Sequence, residues 1–78
     1  MISELDMVVV INDVTEHGLQ KGDVGAVVHV YGEGEAYEVE FVTAEGRTVA
    51  VLTLTGADIR PMAAGEILHV REVAPLAA

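Results

Sequence analysis

The 78-residue chain has room for one domain with a small core. Thirteen Asp and Glu face four Lys and Arg, a net charge of −9, which argues against phosphate backbones and anionic membranes, since both recruit clustered cations. There is no Cys, so a disulfide framework and a thiolate metal site are both excluded.

The residue types AVILMFWYC make up 51% of the chain, and Gly adds 8 residues. Apolar residues plus Gly reach about 45–50% in an ordinary soluble domain. A domain this small cannot hide such an excess inside itself. Burial against a second copy or a partner protein is therefore expected, although ten small Ala residues carry part of the count.

Fourteen Val and four Ile favour pleated, half-buried strands. Leu5 to Asn12 reads as a first strand, with Leu5, Met7, Val9 and Ile11 on one face and Val8 and Val10 on the other, and apolar residues on both faces suggest burial on both sides or an interface through Val8 and Val10. Asp13 to Asp23 reads as a polar loop containing His17 and Lys21. Val24 to Tyr31 is a second strand, and Gly32-Glu33-Gly34-Glu35 is a turn. Ala36 to Thr43 is a third strand, with Tyr37, Val39 and Phe41 inward and Glu38 and Glu40 outward. Ala44-Glu45-Gly46-Arg47 closes a hairpin onto a fourth strand, Thr48 to Leu54. Val27, Val39, Phe41 and Val51 are expected in the core. Thr55 to Asp58 is a tight turn or a single 3₁₀ turn, and Ile59 to Met62 a short fifth strand with Pro61 near an edge. Glu66 to Val73 reads as one further strand, with Leu68 and Val70 against the body and His69 and Arg71 outward, and Ala74 to Ala78 as a frayed tail.

Five strands plus one, with short loops, predict a small all-β barrel over residues 1–62 and a C-terminal strand and tail over 63–78 of the same domain. An open sandwich or meander completed by a second chain is the alternative. Glu4 and Asp6 stand where a signal peptide carries positive charge, and no apolar run reaches the roughly 20 residues of a membrane span, so a cytoplasmic protein is expected.

Lys21-Gly22-Asp23-Val24-Gly25-Ala26-Val27-Val28 has the form KGxxGxVV and resembles the KOW element of ribosomal and transcription-factor SH3-like domains. A wider resemblance runs over residues 5–62. Leu5-Asp6-Met7-Val8-Val9, Glu16-His17-Gly18-Leu19, Lys21-Gly22-Asp23-Val24-Gly25, Glu35-Ala36-Tyr37-Glu38-Val39-Glu40-Phe41 and Asp58-Ile59-Arg60-Pro61 follow one another in an order similar to the bacterial family catalogued as domain of unknown function 4926. That resemblance implies a small SH3-like barrel without an established activity, and by association of gene neighbourhood an antitoxin-like or accessory role.

Glu38 and Glu40 share a strand face about 7 Å apart, with Glu33 and Glu35 just before them. The four form a candidate acidic stripe for a basic protein partner or a cation. The plain alternative is a solvated face that keeps the strand soluble and blunts edge pairing. Acid–base catalysis by the pair needs a cleft and two different environments, and nothing in the pattern supplies them. His17, His29 and His69 share no ligand spacing, and the lone Ser3 has no nucleophile partner. No cofactor is expected. The expectation is a non-enzymatic, homo-oligomeric protein-binding module. A nucleic-acid-binding KOW-like or Sm-like barrel is the alternative.

Overall fold

The computed structural model describes residues 2–73. Five strands, β1 (Met7–Val10), β2 (Val24–Tyr31), β3 (Ala36–Val42), β4 (Thr48–Leu54) and β5 (Ile59–Pro61), form one antiparallel sheet in the order β4-β3-β2-β1-β5. Hydrogen bonding leaves the sheet open, with β4 and β5 as its two edges. The all-β class and the five strands agree with the sequence, whereas the expected closed barrel is an unclosed sheet.

Alternation along β3 sets the core. Tyr37, Val39 and Phe41 are buried, and their cross-strand neighbours Val27 of β2 and Leu54 of β4 are buried with them. Val8, Val10, Leu19 and Ile59 complete the cluster. Gly25 shows how closely the layers approach. A Cβ there would lie 2.7 Å from Val39 Cγ1 and 2.8 Å from Phe41 Cε1, so β2 passes over the aromatic ring only because this residue has no side chain. Three positions before it, Gly22 turns the chain into β2 with φ +98°, a region in which L side chains are strained.

Three expectations are corrected. The first strand is shorter than Leu5–Asn12, because Leu5 adopts φ 72° and sends its N–H to Val27 O at 2.7 Å. Of the two readings of its apolar faces, burial on both sides holds, since Val9 is buried as well as Val8 and Val10. Val8 and Val10 are fully buried in the core, while Met7 and Leu5 are exposed, so Val8 and Val10 are not free to meet a neighbour. Val51 is 46% exposed. It pairs with Glu40 and shares that residue's outward side, so the inward positions of β4 are Ala50, Leu52 and Leu54, opposite Phe41, Val39 and Tyr37. A β-bulge between Phe41 and Val42 displaces the start of β4 from strict alternation.

The third correction concerns Glu66 to Val73, which forms no strand. His69 and Arg71 turn toward the body, while Ile67, Leu68 and Val70 point outward with exposures of 93%, 67% and 92%. The loop before β2 explains the inversion. Asp23 is buried, and its carboxylate draws Arg71 inward. The tail Ala74 to Ala78 lies outside the described residues.

Candidate protein-interaction face

The outer face of β2, β3 and β4 is assembled by cross-strand register. Ala26, Glu40 and Val51 form one row, and His29, Glu38 and Thr53 the next. Val28 sits at the β-bulge between Val27 and His29, and its side chain is exposed. Tyr31 follows at the end of β2, also exposed. The face is therefore apolar at Val28, Tyr31, Val42 and Val51, with two carboxylates in the middle.

Hydroxyl groups hold both carboxylates in place. Thr53 Oγ1–H donates to Glu38 Oε1 at 2.6 Å, and the Tyr31 hydroxyl donates to the same oxygen at 3.2 Å. Thr48 Oγ1–H donates to Glu40 Oε2 at 3.0 Å. The nearby charge of Glu38 pushes the Tyr31 phenol above its ordinary value. His29 packs edge-on against Tyr31 with centroids 4.6 Å apart, and its Nδ1 lies 3.8 Å from Glu4. A fixed carboxylate beside a ring and an aliphatic side chain can receive the ammonium or guanidinium of a basic side chain together with its methylene stem.

Of the four glutamates singled out by sequence, Glu38 and Glu40 share this face. Glu33 and Glu35 belong to the turn between β2 and β3. Glu35 donates its N–H to Tyr31 O at 3.0 Å, and its side chain folds back over Gly32. Val28 and Tyr31 were missed as members of the face, because the bulge that orients them leaves no mark in an alternating pattern. Among the described residues no grouping of three His, Asp or Glu side chains could hold a metal ion.

A second polar constellation was also missed. Arg71 Nε lies 2.7 Å from Asp23 Oδ1, and Arg71 Nη2 lies 2.5 Å from Asp23 Oδ2. Arg71 Nη2 also donates to Gly18 O at 2.9 Å, and His69 Nε2 lies 3.7 Å from Asp23 Oδ1. Burial by itself pushes the Asp23 carboxyl up. Arg71 and the Gln20 N–H outweigh that and hold it below its ordinary value. Toward the start of the same segment, Glu66 receives both Nη groups of Arg60, at 2.8 and 2.6 Å, and the Ala63 N–H at 2.6 Å. These contacts bring its carboxyl down to about 2. Residues 66–71 thus form an arm outside any strand, tied down at both ends. The signal available in the sequence was an acid inside a valine-rich strand entry, which needs a cation from somewhere.

No helix among the described residues is long and apolar enough to cross a membrane. A family model described as "Domain of unknown function (DUF4926)" matches residues 4–61, well over half of the chain. The match takes in all five strands and Asp23, and ends before the arm that carries Arg71. No curated protein and no solved structure matches.

Proposed function

The chain belongs to the DUF4926 family, and from that footing we propose that it is a non-enzymatic protein-binding module, an accessory or antitoxin-like partner of another protein. The observation that carries this is the outer face of β2–β4. Exposed Val28, Tyr31, Val42 and Val51 surround two carboxylates fixed by hydroxyl groups. Apolar side chains gathered on one face of so small a protein favour a protein surface as the counterpart. The charge of −9 favours a basic one.

The five-stranded sheet with a long loop before β2 supports the SH3-like reading, and the KGxxGxVV segment supports its KOW-like entry. Gly22 makes the turn, Gly25 passes over Phe41, and Val27 enters the core. An RNA- or DNA-binding role fits less well. Arg60 and Arg71 are engaged by Glu66 and Asp23, which leaves Lys21 and Arg47 for phosphates. Catalysis by Glu38 and Glu40 also fits poorly, since they stand on an open face and not in a cleft.

Affinity capture with the tagged chain from its own host tests the proposal. A partner retained in stoichiometric amount by the wild type and lost by Glu40→Lys is expected. Micromolar affinity for generic RNA or DNA at physiological salt, read by fluorescence anisotropy, would replace this reading with the nucleic-acid one.

A further inference from the structure

The two edges of the sheet are protected unequally. β5 has three residues, two of them the exposed Arg60 and Pro61, and charge and proline are ordinary defences against edge pairing. β4 runs Thr-Val-Ala-Val-Leu-Thr-Leu over seven residues with neither charge nor proline, and among the described residues β3 is its only neighbouring strand. An uncharged edge of that length is a template for another strand. The same chain carries a segment outside any strand in which Ile67, Leu68 and Val70 are exposed while His69 and Arg71 reach Asp23. Among the described residues no backbone hydrogen bond ties the arm to β4 of its own chain. An open groove of about 920 Å³ separates residues 69–73 from Thr48 and Val49.

We infer that two copies of this chain associate by laying the arm of one, Glu66–Glu72, along the β4 edge of the other. The two segments match in length. In an antiparallel register that faces Val51 with Leu68, Arg47 faces Glu72. The charged groups of these two residues have no ion-pair partner among the described residues, so the contact is complementary in charge as well as apolar. The Arg60–Glu66 and Arg71–Asp23 ties hold the arm in place before any partner arrives, which reduces the ordering cost of association. Reciprocal exchange of arms about a twofold axis closes the assembly at two copies. The inference shares Val51 with the partner face but uses neither Glu38 nor Glu40, so the glutamate variants test the one and the arm variants the other.

Light scattering of the intact chain on the order of tens of micromolar is expected to show a dimer. The exposed positions allow variants that leave the fold alone. Ile67→Lys combined with Val70→Lys, and separately Val51→Lys, are each expected to raise the dimer dissociation constant roughly tenfold or more without moving the circular dichroism melt of the monomer. Because the chain has no Cys, single-cysteine variants report proximity directly. Val51→Cys mixed with Leu68→Cys and oxidised is expected to give the mixed disulfide in preference to either homodisulfide. A strictly monomeric intact chain would overturn the inference. So would a dimer indifferent to the arm variants or to the edge variant, or a mixed disulfide no more frequent than the homodisulfides.

Discussion

Arg71 closes on Asp23 across 48 residues of sequence, with two hydrogen bonds of 2.7 and 2.5 Å to the two carboxylate oxygens. The pair joins the arm to the loop that precedes β2. Leu19 of that loop lies in the core, so the loop is fixed from beneath by apolar packing and from above by the guanidinium. Arg71→Ala leaves a buried carboxylate with the Gln20 N–H as its remaining hydrogen-bond donor. The expected cost in urea denaturation is about 1–3 kcal/mol. Arg71→Lys should recover part of it, since an ammonium keeps the charge and loses the planar fork. Unchanged stability in Arg71→Ala would mean that the pair contributes nothing.

Acid should release the same pair. The Asp23 carboxyl lies below its ordinary value of 3.8 in the folded chain, so the folded state binds this proton more weakly than the unfolded one. Its contribution is fully present above pH 3.8 and disappears as pH falls through the lower folded value. Glu66 behaves alike over a wider window, from 4.5 down to about 2, but its exposure to solvent makes its share small. Denaturation midpoints measured down this range should fall less steeply in Asp23→Asn than in the wild type. Equal slopes would remove Asp23 from the acid response.

Phe41 and Val51 separate the two faces of the sheet. Phe41→Ala should cost about 3–5 kcal/mol, a large part of the stability of so small a domain. Val51→Ala, on the outer face, should stay within about 0.5 kcal/mol for the monomer. Comparable losses at the two positions would contradict the register that pairs Val51 with Glu40.

Gly25→Ala is expected to destabilise by about 1–3 kcal/mol, because the new methyl would press on Val39 and Phe41 at under 3 Å. Gly25→Ala combined with Val39→Ala should recover part of the loss, since the smaller neighbour makes room. Additive losses would show that the crowding lies elsewhere.

The body of the fold was legible in sequence wherever side-chain alternation is regular. The bounds of β2 and β4 match their reading, and β3 differs by one residue, because Tyr37, Val39 and Phe41 alternate cleanly with Glu38 and Glu40. Val8-Val9-Val10 is apolar at every position, so periodicity leaves burial on both sides and an interface equally open, and the structure buries all three. The bulges at Val28 and before Val42 left no compositional trace. The arm failed for another reason. Hydropathy places Leu68 and Val70 inward, but a single buried carboxylate, distant in sequence, selects His69 and Arg71 for that side. The glutamates of the candidate face were legible, since outward residues of a half-buried strand are the ones left for function. The hydroxyl groups that fix them come from β2 and β4 and depend on cross-strand register.

A calorimetric titration of the captured partner into the wild type and into a Glu38→Gln, Glu40→Gln double variant tests the protein-binding role most directly. Both carboxylates are surface groups, so the double variant should fold as the wild type does. The protein-binding reading requires stoichiometric binding by the wild type that weakens with added salt. It also requires a loss of roughly tenfold or more in the double variant. Binding of equal strength in both proteins would contradict it, as would the absence of any stoichiometric partner.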